Sequence, residues 1–208
     1  IKCGENSALE EAIKIYLKTN MNSLNASLSK LYFDYIEADI DEKSFVCTTT
    51  PTNLIYTGVI ASQMPTAKVI YCYRNPLDNI KEIYKKNMGN KHTYSSSIVE
   101  STNLWIELYS LMEQYKKRNS SKIYFLNYDK LVSNTQEVID DLLGWLDWES
   151  DNKYLGPNLD PTTINISNKL NAKVINKDEL YSWKKYRDLL KPAIKILNNR
   201  EKFKHFIK

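Results

Sequence analysis

The chain has 208 residues, 42% hydrophobic and 26% charged, enough for one sizeable globular core or at most two small domains. No apolar stretch approaches the roughly 20 residues of a membrane span, and no secretory leader is read, so a cytoplasmic protein is expected. A net charge of +4, spread over scattered lysines, suits a small anionic ligand and is too small by itself to argue for nucleic acid, which is not expected as a partner.

Taken in chain order, residues 7–19 and 23–39 carry helical apolar spacing, with Leu9, Ile13, Tyr16 and Leu17, then Leu24, Leu28, Leu31 and Tyr35, facing inward. Ser44–Cys47 reads as a short strand and Asn53–Ser62 as a helix after Pro51. Ala67–Cys72 is a short apolar run bounded by Pro65 and Pro76, the pattern of a buried strand. A helix follows from Leu77 to about Asn87, and a longer one runs from about Ile98 to Lys117. On the longer helix Leu104, Leu108, Leu111, Met112 and Tyr115 are the expected inner residues. Ile123–Asn127 is the third clear strand. Thr135 and Glu137 open a helix ending near Asp147, with Val138, Leu142, Leu143 and Trp145 inward. Residues 149–176 lack a period and read as a long irregular segment, and two helices, about 178–189 and 192–205, close the chain. Strands alternating with helices predict an α/β fold, a parallel sheet flanked by helices, in a single domain over 1–208.

Cys3, Cys47 and Cys72 lack metal-ligand spacing, and the two histidines, His92 and His205, stand far apart in sequence, so no metal is expected. Buried reduced thiols are the expected state; Cys3 and Cys47 approach each other if they end neighbouring strands. The most informative stretch is Arg74-Asn75-Pro76-Leu77-Asp78. It places one cation at the carboxyl end of a strand, and Pro76 in the first turn of a helix. Open α/β folds bind anions at such a junction, where backbone N–H groups and the helix dipole converge. The ordinary alternative is a strand–turn–helix in which Arg74 simply pairs with Asp78.

These residues resemble the 3′-phosphate-binding segment of the sulfotransferases, which use the sulfuryl donor 3′-phosphoadenosine 5′-phosphosulfate (PAPS). Phe45-Val46-Cys47-Thr48-Thr49-Thr50-Pro51 is similar to an active-site loop of the tyrosylprotein sulfotransferases and of bacterial sulfotransferases often fused to TPR repeats. Tyr124-Phe125-Leu126-Asn127-Tyr128-Asp129-Lys130-Leu131 resembles their Tyr-Glu-Asp-Leu strand end. Cys3-Gly4-Glu5 and Glu179-Leu180-Tyr181-Ser182-Trp183 fit the same frame at the two ends. The resemblance implies a P-loop NTPase-like sulfotransferase fold, with a first strand and phosphate loop expected ahead of Ile1. None of the five glycines in the chain forms such a loop.

The resemblance also implies roles residue by residue. Glu5 falls in the segment that carries a catalytic carboxylate, and Ser167 matches a serine contacting donor and substrate. Arg74 matches the 3′-phosphate ligand, and guanidinium forks suit phosphate oxygens. Tyr128 matches a residue lining the nucleotide site. Three further donor-binding positions are altered: Thr49 stands for a lysine, Glu82 for a serine, and Ser182 precedes Trp183 where relatives often carry lysine or arginine. Lys81 or Lys85 would have to offset the Glu82 charge beside a phosphate. The implied reaction moves a sulfuryl group from PAPS to a hydroxyl or amine of an unknown acceptor, with no metal. The triple substitution equally motivates a degenerate, non-catalytic binding or scaffold module. A kinase of related fold is disfavoured, because neither the 44–50 nor the 67–74 segment supplies an acidic magnesium ligand at a strand end.

Overall fold

A computed structural model describes residues 2–3, 8–21, 27–36, 45–86, 88–149 and 180–207. Glu5 and Ser167 lie outside the described residues, as do Leu24, Ser44, nearly all of the 149–176 segment and the start of the predicted 178–189 helix. The chain divides into two compact units, Ile1–Tyr71 with Ser110–Tyr124, and Cys72–Tyr109 with Phe125–Lys208.

In the first unit, strands β1 (Lys2–Cys3) and β2 (Val46–Cys47) pair in parallel, with Cys3 opposite Cys47. Helices α1 (Ala8–Met21), α2 (Leu28–Tyr35) and α3 (Asn53–Gln63) build the core of this unit. On α1 the buried stripe is Ala8, Leu9, Ala12 and Ile13, one helical face repeating every three to four residues. Leu28 and Tyr32 of α2 and Ile60 of α3 close over it. Two expected inward residues are not in this core: Leu17 and Tyr35 are each 46% exposed, because the buried faces stop one turn earlier. Ser27 caps α2, its hydroxyl accepting the Lys30 N–H. At the far end of α3 the Lys122 ammonium donates to the Ala61 and Met64 carbonyls, at 2.8 and 3.3 Å, where a cation suits the helix dipole. Gly58 lets the ring of Tyr115 approach α3, since a Cβ there would meet that ring at 2.6 Å.

Strands β3 (Val69–Tyr73) and β4 (Ile123–Asn127) form a second two-stranded sheet, and the Val69 N–H donates to the Lys122 carbonyl where both begin. β4 has the bounds its sequence predicts. β3 begins two residues later than predicted, because the Ala67 N–H is used in closing the turn onto Met64. Nor is β3 buried on both faces: Ile70 and Cys72 alternate on an exposed face, and Cys47 is exposed as well. The expectation of buried thiols is corrected accordingly for those two residues.

The second unit contains α4 (Pro76–Lys86), a 3₁₀ segment at Asn90–Ser96, α6 (Tyr128–Ser133) and α7 (Thr135–Leu146). It also contains a 3₁₀ turn at Ser182–Tyr186, α8 (Lys191–Asn198) and a final 3₁₀ segment at Glu201–Ile207. Helix α5 (Ile98–Arg118) supplies its first turns to this unit. The buried hydrophobic residues of α5 are Trp105, Ile106, Tyr109 and the predicted Met112, beside the buried Ser101 and Thr102, whereas the predicted leucines 104, 108 and 111 are half-buried. Aromatic packing turns the helix that way. Trp105 stacks on Tyr109 at 4.9 Å between centroids, and Phe203 and Phe206 meet both rings edge-on.

The two predicted closing helices are shorter than their spacing suggests. Tyr181 takes a left-handed conformation, φ 53°, which interrupts the first before the 3₁₀ turn. The second ends at Asn198 and resumes as a 3₁₀ segment that drives Phe203 and Phe206 inward. The architecture is that of a mixed helix–strand protein with a small parallel sheet flanked by helices.

Candidate functional site

The turn between β3 and α4 is fixed by a buried carboxylate and a backbone carbonyl. The Asn75 N–H donates to Asp129 Oδ2 at 2.6 Å, and the Asn75 carboxamide donates to the Phe206 carbonyl at 2.8 Å. The same side chain accepts the Leu77 N–H at 2.9 Å, which satisfies one of the open donors at the start of α4. Asn75 is 4% exposed, so every bond it makes is shielded from water. Asp129 in turn is held by Asn127, which caps α6 by accepting the Asp129 and Lys130 N–H groups.

One turn along α4, the Asp78 side chain is completely buried. Its Oδ1 accepts from the Ser182 hydroxyl and from the Trp183 N–H, both at 2.8 Å. Lys81 donates to the Ser182 oxygen at 2.5 Å and pairs with Glu82 at 3.1 Å, with only 11% of its side chain exposed. Arg74 lies at this junction with 19% of its side chain exposed. Its Nη2 stands 3.9 Å from Asp78 Oδ2, and the guanidinium lies 5.6 Å from the centre of the Tyr128 ring. At 3.9 Å the ion pair is at the limit of contact, looser than a bidentate arginine–carboxylate fork.

The electrostatics follow from this crowding. Burial pushes the Asp129 carboxyl above its ordinary value, opposed by the Asn75 N–H and by the Arg74 charge. Burial acts upward on Glu82 too, but there the Lys81 hydrogen bond and the charges of Lys81, Lys85 and Arg74 prevail and hold it below the usual range. Glu82 is therefore an ionised carboxylate ringed by cations.

Of the residues singled out in the sequence, Arg74, Tyr128, Glu82 and Ser182 fall in one unit and are joined through this cluster. Thr49 belongs to the other unit, exposed between the half-buried Thr48 and Thr50 in the stretch that leads into α3, where Thr48 accepts a long 3.4 Å bond from Asn53. Sequence reasoning passed over Asn75 and Asp129 and read Asp78 only as a partner for Arg74. A carboxylate placed immediately after a strand end, as Asp129 is after β4, was the signal available. No group of three or more His, Cys, Asp and Glu side chains among the described residues is arranged to hold a metal ion. No helix among the described residues is long and apolar enough to cross a membrane.

A small parallel sheet flanked by helices, with a shielded arginine beside an aromatic ring at one strand end, defines an α/β protein. The model of the sulfotransferase family matches residues 6–152, a span that contains β2, β3, β4 and the arginine turn. The chain belongs to the sulfotransferase family. It is also similar to an uncharacterized protein of Aquifex aeolicus (strain VF5), 30% identical over 179 residues. That match covers 82% of this chain and 23% of the relative, so the chain spans less than a quarter of that protein's length. No solved structure matches.

Proposed function

We propose that the chain is a single sulfotransferase-like domain of P-loop NTPase-like fold, in the branch of the tyrosylprotein and TPR-linked bacterial enzymes. In this reading it transfers a sulfuryl group from PAPS to a hydroxyl or amine. Its partners are then small molecules, the nucleotide donor and an acceptor whose class stays open. The observation that carries this reading is Arg74, a largely buried cation on a rigid turn at the end of β3, within a chain of the sulfotransferase family.

The residues present fit the ribose-phosphate end of such a donor. Arg74 supplies a guanidinium whose contact with Asp78, at 3.9 Å, is looser than a bidentate fork, and guanidinium donors match phosphate oxygens. Tyr128 offers the ring face beside it. PAPS, when bound, supplies the sulfuryl group and a nucleotide phosphate as leaving group. The chain's own work is to hold the nucleotide and keep water from the arginine, a binding contribution made before any bond breaks. Glu5 as base for the acceptor hydroxyl, with Ser167 and Thr49 as polar contacts, completes the reading. Calorimetric titration of the full-length protein with the product nucleotide 3′-phosphoadenosine 5′-phosphate (PAP) tests it. A micromolar site lost in Arg74→Ala is the expected result, and heat indistinguishable from dilution rejects it.

A second reading has its own observation. Glu82 is an ionised carboxylate where relatives place a serine, and Ser182 is already engaged by Asp78 and Lys81. A module that keeps the fold and has given up donor chemistry accounts for both. PAP affinity without sulfuryl transfer to a panel of carbohydrate, peptide-tyrosine and small-alcohol acceptors selects that reading over the enzyme.

A further inference from the structure

Asp78 divides its carboxylate between two tasks. Oδ1 accepts the Ser182 hydroxyl and the Trp183 N–H and so fastens the Ser182–Tyr186 turn to the first turn of α4. Oδ2 accepts no hydrogen bond among the described residues and faces Arg74 Nη2 at 3.9 Å. A fully buried carboxylate with one oxygen lacking a hydrogen bond is costly unless its charge is used elsewhere. Two cations stand ready to use it: Arg74 toward Oδ2 and Lys81, 3.7 Å from Oδ1. Lys81 reaches the same oxygen a second way, through the Ser182 hydroxyl. Arg74, Asp78 and Lys81 are spaced i, i+4, i+7, which puts all three on one side of the turn and the helix it opens.

We propose that Asp78 is the positioning residue of the arginine site: through Oδ2 it sets the direction of the Arg74 guanidinium, and through Oδ1 it locks the Ser182–Trp183 turn beside it. Ser182 is then a link in this scaffold, relaying the hold of Lys81 onto Asp78, and contacts no donor phosphate. The loose distance is part of the device. A carboxylate in tight bidentate contact would neutralise the arginine and keep it from an incoming anion, whereas one at the limit of contact orients it and yields. That the oriented group serves a nucleotide phosphate rests on the reading given under Proposed function.

The division of labour makes the proposal separable from a structural role. In Asp78→Asn the carboxamide oxygen takes the place of Oδ1, because only an acceptor tolerates the Trp183 N–H. The turn stays fastened while the charge facing Arg74 is gone. Two measurements on the full-length protein decide the matter, with Leu197→Ala, a fully buried residue of α8, as a control for lost stability. The first follows the Arg74 guanidinium signals by ¹⁵N NMR without ligand, assigned with Arg74→Lys. Asp78→Asn is expected to move them toward those of solvent-exposed arginines, and Leu197→Ala is expected to leave them in place. The second is PAP titration, where Asp78→Asn is expected to weaken binding about tenfold and Ser182→Ala about threefold.

The proposal is overturned if Asp78→Asn keeps both the Arg74 signals and PAP affinity within twofold of the wild type. It is equally overturned if Leu197→Ala reproduces both changes. A wild-type protein that ignores PAP, while Asp78→Asn still releases the Arg74 signals, rejects the nucleotide reading and upholds the positioning role.

Discussion

The arginine turn and the threonine stretch are both strand-to-helix connections, yet they are built to opposite standards. Between β3 and α4, Asn75 uses its backbone N–H, its carboxamide and its oxygen, all shielded, on the Asp129 carboxylate, the Phe206 carbonyl and the Leu77 N–H. Between β2 and α3, the turn closes through backbone bonds such as Asn53 N–H to the Thr50 carbonyl, and Thr49 is exposed. Conformational entropy explains what the contrast means. An arginine on a fixed turn has already lost its freedom and gives up little more on meeting a phosphate. The exposed Thr49 side chain, with no hydrogen bond of its own among the described residues, would still have to be ordered by whatever binds it. If both hold the donor as proposed, the first is preformed and the second, at most, adaptable.

The largest test of this contrast attacks the anchor. Trp183 is fully buried, and its N–H is held by Asp78. Trp183→Ala should cost about 3–5 kcal/mol of stability in a denaturant titration, the usual loss for a large core aromatic. A loss below about 1 kcal/mol means that the turn is not anchored as described. Next comes Arg74→Ala, expected to weaken PAP binding by about 2–3 kcal/mol, the range for hydrogen bonds to a charged group. Because Arg74 is one of two cations facing the buried Asp78 carboxylate, the variant's melting temperature should fall as well, and an affinity loss no larger than that of the destabilised control Leu197→Ala would show that the arginine is structural.

The anchor also has a pH signature with a definite sign. Because burial raises the Asp129 carboxyl, this group favours the folded state below its ordinary pKa of about 4 and loses that contribution as pH rises. Asp129→Asn keeps an acceptor for the Asn75 N–H without the charge. The variant should therefore gain stability relative to wild type as pH rises from 3.5 to 7. Glu82 has the opposite sign: held low by Lys81, Lys85 and Arg74, it contributes above about 4.3 and loses that contribution on acidification. With 35% of its side chain exposed, Glu82→Gln should cost no more than about 0.5 kcal/mol at pH 7. The same change should tighten PAP binding, by removing a negative charge beside the phosphate. Parallel melting curves for either variant across that pH range would contradict the assignments.

How much of this was legible depends on the range of the interaction that fixes each element. β4 and α5 follow from local apolar spacing, and their bounds fall where the pattern puts them, to within a residue. The place of Arg74 at the junction of β3 and α4 was legible for the same reason, since a short apolar run, one cation and Pro76 lie within ten residues. The rotation of α5 was not. It is set by Phe203 and Phe206, about a hundred residues away, which draw Trp105 and Tyr109 inward. Nor was the interruption at Tyr181 legible, because Trp183 gives its N–H to a carboxylate 105 residues earlier and no periodicity encodes that bond. Asp78 read as an arginine partner, and that is half of what it does.

The smallest expected effect falls on the threonine stretch, and it is the sharpest check on the contrast. Thr49 is exposed and makes no side-chain hydrogen bond among the described residues, so Thr49→Ala should change stability by less than about 0.5 kcal/mol. Asn75→Ala, in the corresponding place of the other turn, removes a cap and strands a buried N–H, and should cost about 1–3 kcal/mol. Equal losses at the two positions would show that the threonine stretch is as tightly built as the arginine turn. Thr49→Lys then asks whether the stretch has a use. It supplies the lysine that the resemblance to the tyrosylprotein sulfotransferases implies at this position, and an exposed position accepts it without strain. If the enzyme reading holds, this variant should raise sulfuryl transfer while leaving PAP affinity nearly unchanged, since stabilising a leaving group acts on the transition state more than on binding. Tighter PAP binding with no gain in rate would instead place Thr49 among the groups that hold the nucleotide.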